Sequence, residues 1–307
     1  MFDLSNPSIR LASLAVFVSA TVWGLYWVPL RIFDAAGIGG GWSVALLNLP
    51  PLLLLGPLLL WQFGAHRSFI GRAVMIGFFA GAGLAFYASG LVYSTVVRTT
   101  LLFYLTPVWS TLIGLIWLGE RVSWQRWVAI VTGLAGMFLL LSGSGGSSVP
   151  LNIGDLLGFL SGIFWAVGAA MIRRFEGVPL VGMTFFQFFF TALIALVCAL
   201  AFGPREMPEL ATFASQIPLA VGAALGLILP TVAVIFWAQK FLFPGRVGLL
   251  MMSEVLVAVI SASIFIPEER MGLVEWIGAA MIIGACLIEV LTIAEKPDAK
   301  ASREGLV

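Results

Sequence analysis

The sequence predicts an all-α integral membrane protein with ten transmembrane helices, arranged as two inverted five-helix repeats with both termini in the cytoplasm. Three observations lead to this fold class. Of the 307 residues, 61% are hydrophobic and only 10% are charged, whereas a soluble domain carries about 25% charged residues. The second half of the chain repeats the residue pattern of the first half. The loops between the apolar stretches also differ in their content of Lys and Arg.

Ten apolar stretches are each close to the length that a helix needs to cross a bilayer, about 20 residues. They cover residues 11–33, 42–62, 70–94, 97–118, 124–142, 154–174, 180–203, 216–240, 246–267 and 271–293. A Gly/Ser run from Ser142 to Ser148 has the composition of a flexible linker. We therefore expect a first repeat (1–142), a linker (143–153), a second repeat (154–294) and a charged cytoplasmic tail (295–307).

The repeat is visible as identical residues at fixed offsets. Arg98, Leu101 and Leu102 recur 148 positions later, and five residues of the first span recur 142 positions later, in the sixth span or directly after it. These five are Phe17, Ser19, Trp23, Arg31 and Phe33, which match Phe159, Ser161, Trp165, Arg173 and Phe175. Because each repeat has an odd number of spans, the second repeat must enter the membrane from the opposite side. Inverted repeats of this kind are found in alternating-access transporters.

The distribution of Lys and Arg predicts the orientation, because cytoplasmic loops carry an excess of positive charge. With the N-terminus placed in the cytoplasm, 12 of the 16 Lys and Arg residues fall on the cytoplasmic side. The other four, Arg31, Arg98, Arg205 and Arg270, fall outside. We therefore expect a multi-pass protein of the inner (plasma) membrane.

Proline residues interrupt several predicted spans, where each removes a backbone hydrogen bond and can kink the helix. Pro107 in the fourth span and Pro230 in the eighth are candidates for hinges near the gates of a transporter. Such prolines can equally shape a cavity or be tolerated without a role, because neighbouring helices can bond the freed carbonyl groups.

Glu254 is the acidic residue that lies well inside a predicted span. Ionisable residues inside a membrane cost roughly 2.5–3.5 kcal/mol on insertion scales, and they default to a functional hypothesis. We interpret Glu254 as a candidate for substrate or proton handling, with a hydrogen bond to a neighbouring helix as the alternative. Glu289 lies nearer the end of its span, and we expect its side chain to extend to the interface.

Arg98 and Arg246 are related by the repeat and begin the fourth and ninth spans on opposite faces of the membrane. A cation is not favoured at a helix N-terminus, so the helix dipole does not explain them. They are either gate residues, one on each side, or anchors at the interface.

Several classes of function find no support in the sequence. The formal net charge of +1 offers no basic surface for nucleic acid. Cys198 and Cys286 lie inside apolar runs, His66 is alone in a loop, and neither a metal-ligand cluster nor a nucleophile–base pair is visible. A Gly-rich phosphate loop is also missing. We therefore expect that the protein is not an enzyme and binds neither a cofactor nor a metal.

Several motifs resemble those of a known family. The run from Phe236 to Val247 resembles the junction between the third and fourth spans of an EamA-type repeat, and Tyr104-Leu105-Thr106-Pro107 resembles its fourth span. Ser253-Glu254-Val255 is the second-half counterpart, with Val255 where the family usually has proline. Leu118-Gly119-Glu120-Arg121 and Pro267-Glu268-Glu269-Arg270 resemble the junction before the fifth span of each repeat.

The resemblance covers about residues 10–293 and implies the drug/metabolite transporter superfamily, with greatest similarity to its aromatic amino acid exporters. It implies that the first, third, fourth, sixth and eighth spans line the cavity. Tyr and Trp in those spans can stack on an aromatic substrate and also bind its polar atoms. The candidate substrate-binding residues are Trp165, Tyr87, Tyr104, Trp23 and Trp237, with packing as the alternative for each.

The expected function is a secondary transporter that exports aromatic amino acids and related small metabolites by alternating access. The lipid bilayer and a small molecule are the expected partners, and no oligomer is required. Many aromatic and few charged residues suit a bulky apolar substrate better than a phosphate ester, for which Lys or Arg would be needed inside the cavity. A broad metabolite or drug exporter and a channel-like membrane protein are the alternatives.

Overall fold

The structure, a computed structural model, describes residues 7–94, 96–142, 151–202, 207–265 and 272–291. All regular secondary structure in these ranges is helical. The predicted tail, residues 143–150 of the predicted linker and the motif Pro267–Arg270 lie outside the described residues.

Sixteen α-helices and one π-helical segment make up the described part of the chain. The helices of the first half are α1 (Ile9–Trp23), α2 (Trp27–Ala35), α3 (Gly40–Asn48), α4 (Pro50–Trp61), α5 (Phe63–His66), α6 (Ile70–Tyr93), α7 (Val96–Phe103), α8 (Thr106–Trp117) and α9 (Trp124–Ser142). Those of the second half are α10 (Ile153–Arg174), α11 (Leu180–Phe202), α12 (Leu210–Ala223), α13 (Leu229–Gln239), α14 (Pro244–Met251), α15 (Ser253–Phe265) and α16 (Leu273–Leu291), with the π-helical segment Ala224–Ile228 between α12 and α13.

The helices confirm a multi-pass membrane protein. Within the described ranges, seven helical stretches are long and apolar enough to cross a membrane: Ile9–Ala35, Gly40–Trp61, Ile70–Leu91, Thr99–Trp117, Ile153–Arg174, Leu180–Ala201 and Leu210–Gln239. A shorter apolar helix covers Trp124–Leu140. The pair α14–α15 and helix α16 lie where the ninth and tenth spans are predicted, but the count of ten spans stays a prediction.

Three of these stretches in the first half are broken near their middle, each beside a proline. The breaks fall at residues 24–26, at Leu49 and at residues 104–105. Proline cannot donate a hydrogen bond to the carbonyl four residues earlier, and its ring pushes that carbonyl away. At the break before Pro107 the freed carbonyl of Phe103 accepts a hydrogen bond from the Thr106 hydroxyl, so the interruption leaves that group satisfied.

A fourth break, at Met252, needs no proline. Met252 is the repeat counterpart of Tyr104, and the helix stops and restarts there although Val255 stands where Pro107 stands in the first half. The amide of Met252 donates to Leu249 O, and the amide of Val255 donates to Met252 O, each at 3.2 Å. These tighter turns replace the α-helical bonds, so the break belongs to the architecture of the repeat.

Pro230 sits at a different kind of irregularity. It occupies the second position of α13, directly after the π-helical segment, and its ring is exposed. A π-helical turn accommodates one extra residue and is frequent at functional sites. The eighth span therefore changes its geometry at this position without being interrupted.

Glycine contacts hold the two halves of the chain together. Helix α6 lies between α10 and α11. A Cβ atom on Gly83 would come within 2.8 Å of the Trp165 amide nitrogen, and one on Gly81 within 2.7 Å of the Gln187 carbonyl oxygen. Helices α9 and α16 make the same kind of contact through Gly136 and Gly278. The repeats therefore pack against each other along their lengths, as small residues permit in membranes.

The connections between helices gather at two ends of the bundle, which we name end A and end B. End A holds residues 62–69, 118–123, 175–179 and 240–243, and end B holds residues 36–39, Ser94 and Asn152. At end A, Lys240 Nζ donates to Val178 O at 2.8 Å and Arg173 donates to Lys240 O at 2.6 Å. At end B, Ser94 donates to the Asp155 carboxylate, which also accepts from the Asn152 amide.

Candidate functional site

The helix breaks bring aromatic and polar side chains together in the core, and we name this group the central cluster. Each break contributes at least one member. The cluster consists of Trp23, Tyr26, Asn48, Tyr87, Phe103, Tyr104 and Glu254. Breaks of this kind expose backbone and helix ends at mid-membrane, where secondary transporters bind their substrates.

Ring contacts link the aromatic members. The indole of Trp23 stacks on Tyr26, with centroids 4.9 Å apart and planes 4° apart. The Phe103 ring lies 4.6 Å from Tyr87 and 5.0 Å from Tyr104. All except Tyr87 are buried residues, and Tyr87 is half-buried. The cluster therefore has two aromatic faces of the kind that stacks on a planar ring.

Polar atoms of the cluster lie close together without completing their hydrogen bonds. Tyr26 Oη lies beside the Asn48 side chain and Tyr104 Oη lies beside the Glu254 carboxyl, each without hydrogen-bond geometry. Asn48 Nδ2 donates to Val44 O at 2.8 Å, but Asn48 Oδ1 has no hydrogen-bond partner in the described part of the chain. Leaving a buried polar atom unbonded costs about 1–3 kcal/mol, so these atoms are suited to bind a polar ligand.

Two of the five candidate substrate-binding residues lie apart from these contacts. Trp165 is buried in α10, and its ring is 6.3 Å from Phe236. Trp237 is half-buried in α13 and meets Phe241 edge-on at 5.6 Å. Trp23, Tyr87 and Tyr104 thus belong to the central cluster, whereas the Trp165 ring meets Phe236 and Trp237 lies towards end A.

The candidate gate residues occupy unlike environments. Pro107 is buried at the start of α8, and Pro230 is exposed at the start of α13. Arg98 lies in α7, but its side chain is outside the part that the structure describes. Arg246 is buried in α14, where its guanidinium takes part in an ion network.

This network, which we name the end-A ion cluster, joins Glu120, Arg126, Arg246 and Glu289. Glu289 Oε1 is 2.9 Å from Arg246 Nε and 3.0 Å from an Arg126 guanidinium nitrogen. Arg126 also pairs with Glu120, and Arg246 donates to the Glu289 carbonyl at 2.6 Å. All four residues are at most 7% exposed. The cluster connects α9 of the first repeat with α14 and α16 of the second.

The expectation that Glu289 extends to the interface is wrong. Its side chain is buried because two guanidinium groups meet it inside the bundle, and their charge compensates the carboxylate. Sequence reasoning placed Glu289 by its distance from the helix end alone. The positions of Arg126 and Arg246 relative to it depend on how the fifth, ninth and tenth spans pack, which the sequence pattern does not show.

Sequence reasoning also missed Tyr26 and Asn48. A signal was available for both, because Asn48 is an amide inside an apolar span and Tyr26 is one of only four tyrosines. No group of three or more His, Cys, Asp or Glu side chains suited to a metal ion occurs among the described residues.

Comparison with known proteins identifies the family of the chain. The model of the EamA-like transporter family matches it twice, over residues 10–142 and 152–291. The chain belongs to the EamA-like transporter family. It is thus a small-molecule transporter of a membrane, and its apolar helices independently indicate the membrane location.

Three relatives extend the comparison within transporters. An uncharacterised transporter of Archaeoglobus fulgidus is 27% identical over 285 residues, covering 91% of this chain and 96% of that protein. The uncharacterised transporter YvbV of Bacillus subtilis is 23% identical over 55% of each chain. A riboflavin transporter of Vibrio cholerae is 28% identical over 37% of this chain and 35% of its own length.

A solved crystal structure shares the fold of this chain. It superposes with a TM-score of 0.62 at 22% sequence identity, covering 92% of this chain and 98% of the other. The likeness extends over nearly the whole of both chains, so the two share an architecture.

Proposed function

We propose that this EamA-like protein is a secondary transporter that exports aromatic amino acids and related small metabolites across the inner membrane. The observation that carries the proposal is the central cluster, which combines stacking surfaces with unbonded polar atoms at helix breaks. An aromatic amino acid needs both, because its ring is apolar and its ammonium and carboxylate need polar partners. Trp165 and Trp237 are also proposed to contact the substrate.

The proposed topology has ten spans, with end A in the cytoplasm and end B outside. Contacts between loops support this assignment. Residues that the charge pattern places inside meet one another at end A, where Arg72 lies over the Phe175 ring and Arg173 bonds Lys240 O. Residues placed outside meet at end B, where Tyr93 donates to Cys198 O. The division into repeats at 1–142 and 154–294, with a linker and a cytoplasmic tail, belongs to the same proposal.

Alternating access is supported by unequal packing of elements that the repeat makes equivalent. Helix α6 of the third span packs extensively against α11 of the seventh span. By the repeat, α6 corresponds to α12 and α13, and α11 corresponds to α3 and α4. Contact between α12 or α13 and α3 or α4 is only slight. In α12 only Ala220 is buried. At end A, by contrast, the end-A ion cluster holds the helices together. We therefore assign this conformation to a state that is closed at end A and looser at end B.

Gating would use the irregular positions of the fourth and eighth spans. Pro230 stands in the first turn of the buried helix α13, which follows the peripheral helix α12 and the π-helical segment. A hinge there can move one half of the span while the other stays packed. Pro107 begins α8 beside the break at residues 104–105. Arg246 would hold the inner gate through the end-A ion cluster, and Arg98 would act at the outer gate.

Counterflow into liposomes that contain the purified protein tests the proposal. The liposomes are loaded with unlabelled phenylalanine, and uptake of labelled phenylalanine, tyrosine, tryptophan and threonine is measured at two pH values. We expect saturable uptake of the three aromatic amino acids, well above that of threonine. Equal uptake of threonine and phenylalanine would contradict aromatic selectivity, and uptake that does not saturate would indicate a channel.

A second candidate is a broad metabolite exporter that accepts larger planar ring systems. The similarity to a riboflavin transporter favours it. Labelled riboflavin in the same counterflow assay separates the two, because uptake of riboflavin alongside little uptake of phenylalanine would support the second candidate.

A further inference from the structure

Glu254 lies where two helix breaks meet. It stands in the first turn of α15, directly after the break at Met252, and is 6% exposed. The break that ends α1 lies against it, since a Cβ atom on Gly24 would come within 2.5 Å of the Glu254 carbonyl oxygen. Only glycine fits at position 24 without a shift of the helices. The Glu254 backbone is therefore held against the break that follows Trp23.

The neighbours of this carboxyl group are hydroxyl groups. Tyr104 Oη lies beside it, and Tyr87 Oη lies within electrostatic reach. In the described part of the chain neither Glu254 Oε2 nor Tyr104 Oη has a hydrogen-bond partner, although the residues are only 6% and 1% exposed. Two adjacent buried polar atoms thus have unused bonding capacity.

The buried and half-buried cations whose side chains the structure describes bind other partners. Arg246, which belongs to the same predicted span, pairs with Glu289. Arg126 pairs with Glu120 and Glu289, Arg173 lies over Phe243, and Lys240 donates to Val178 O. Among the side chains that the structure describes, the central cluster has a carboxyl group but no Lys or Arg. In its ionised form the Glu254 carboxylate therefore complements a positive group on a ligand.

A primary ammonium group fits this arrangement. It has three donors and no acceptor, so it can donate to Glu254 Oε2 and to Tyr104 Oη together. Hydrogen bonds to ionised groups are shorter and roughly twice as strong as neutral ones. The nearby aromatic rings add cation–π attraction when the site is shielded from water. A substrate carboxylate finds no such partner among the described members of the cluster.

We propose that Glu254 and Tyr104 bind the ammonium group of an aromatic substrate, and that this group together with the ring is what the transporter recognises. The inference rests on the proposed function and narrows it. Aromatic monoamines that lack a carboxylate are then ligands, whereas aromatic carboxylic acids that lack an amine are not.

Competition binding to the purified full-length protein tests this directly. Labelled phenylalanine is bound to the protein in detergent, and phenethylamine or 3-phenylpropionate is added as competitor. Phenethylamine is expected to displace the label at a concentration within about tenfold of unlabelled phenylalanine. The carboxylate 3-phenylpropionate is expected to leave the label bound even at a hundredfold higher concentration.

Substitutions of Glu254 and Tyr104 test whether these two residues bind the ammonium group. Glu254→Gln is expected to weaken phenylalanine binding by about tenfold to a hundredfold, the range for a hydrogen bond to a charged group. Tyr104→Phe is expected to weaken it by a smaller factor. Glu176→Gln makes the same chemical change at an exposed turn of end A and should leave binding unchanged.

The outcomes separate this inference from the proposed function. If phenylalanine binds but phenethylamine competes no better than 3-phenylpropionate, amine recognition is wrong and aromatic amino acid transport stands. Unchanged affinity in Glu254→Gln would refute the role of that carboxyl group in the same way. If the wild-type protein neither binds phenylalanine nor exchanges it in liposomes, both proposals fall together.

Discussion

Stacking at Trp23 is a property of a single residue pair. Its indole ring lies flat on Tyr26 at the end of α1, and we propose that the ring of the substrate stacks on this pair. Offset and stacked aromatic pairs contribute about 0.5–1.5 kcal/mol beyond the area they bury.

Replacing Trp23 by leucine tests this role. Trp23→Leu keeps an apolar side chain but removes the stacking surface, and we expect the half-saturating concentration of tryptophan in counterflow to rise by up to about tenfold. Trp61→Leu is the matched control, because Trp61 is 81% exposed on the outside of the bundle. An equal effect of the two variants would show that Trp23 has no specific role.

Glu289 is the residue on which the end-A ion cluster depends, because its carboxylate contacts both arginines. Glu289→Gln leaves two buried guanidinium groups with less negative charge, and breaking a buried ion pair in this way costs about 3–5 kcal/mol. We expect a clear fall in the thermal unfolding midpoint of the purified protein in detergent.

The control for this variant lies in the same helix. Glu275→Gln changes an acid of the first turn of α16, at the opposite end, where the side chain is half-buried. It should leave the midpoint within the error of the measurement. If Glu289→Gln unfolds at the wild-type temperature, the end-A ion cluster does not stabilise the closed end.

At the scale of helices, the sequence predicts where the spans lie along the chain better than where they are broken. Residues 154–174 are predicted as one span, and α10 covers Ile153–Arg174, because a membrane helix must be apolar throughout. The first span has the same composition but breaks at residues 24–26. Pro29 indicates a kink in that span, yet whether a kink becomes a break depends on what packs beside it, here the close approach of Glu254 to Gly24.

The break at Met252 yields a prediction about proline. Val255 is in the first turn of α15, and its amide makes only one tight-turn bond, to Met252 O. The first amides of a helix have no partners within the helix, so Val255→Pro should cost about 1 kcal/mol or less. We expect its unfolding midpoint in detergent to stay close to that of the wild type.

Val257→Pro provides the contrast one half-turn later. There proline enters the body of α15, where it removes an α-helical bond and costs about 3 kcal/mol or more. The midpoint should fall clearly below that of Val255→Pro. Equal losses in the two variants would mean that α14 and α15 behave as one continuous helix.

At the scale of the whole molecule, the opposite exposure of ends A and B can be measured. Cys198 and Cys286 are buried, so they can be replaced by alanine to give a background for single cysteines. Asp34→Cys is exposed near end B and Glu176→Cys is exposed at end A. A membrane-impermeant maleimide should label Asp34→Cys on intact cells and Glu176→Cys only after lysis. Labelling of both on intact cells would contradict the proposed inverted topology.

The glycine contacts between the two repeats have a consequence for the synthesis and folding of the protein. Helix α6 finds its partners α10 and α11 only after a further stretch of chain has been synthesised, and α9 waits for α16 at the end of the chain. At a synthesis rate of about 5–20 residues per second, α6 and α9 remain in the membrane without these helix partners for on the order of ten seconds. The first half therefore inserts before it can fold, and we expect the translation rate and insertion chaperones to influence the yield of native protein.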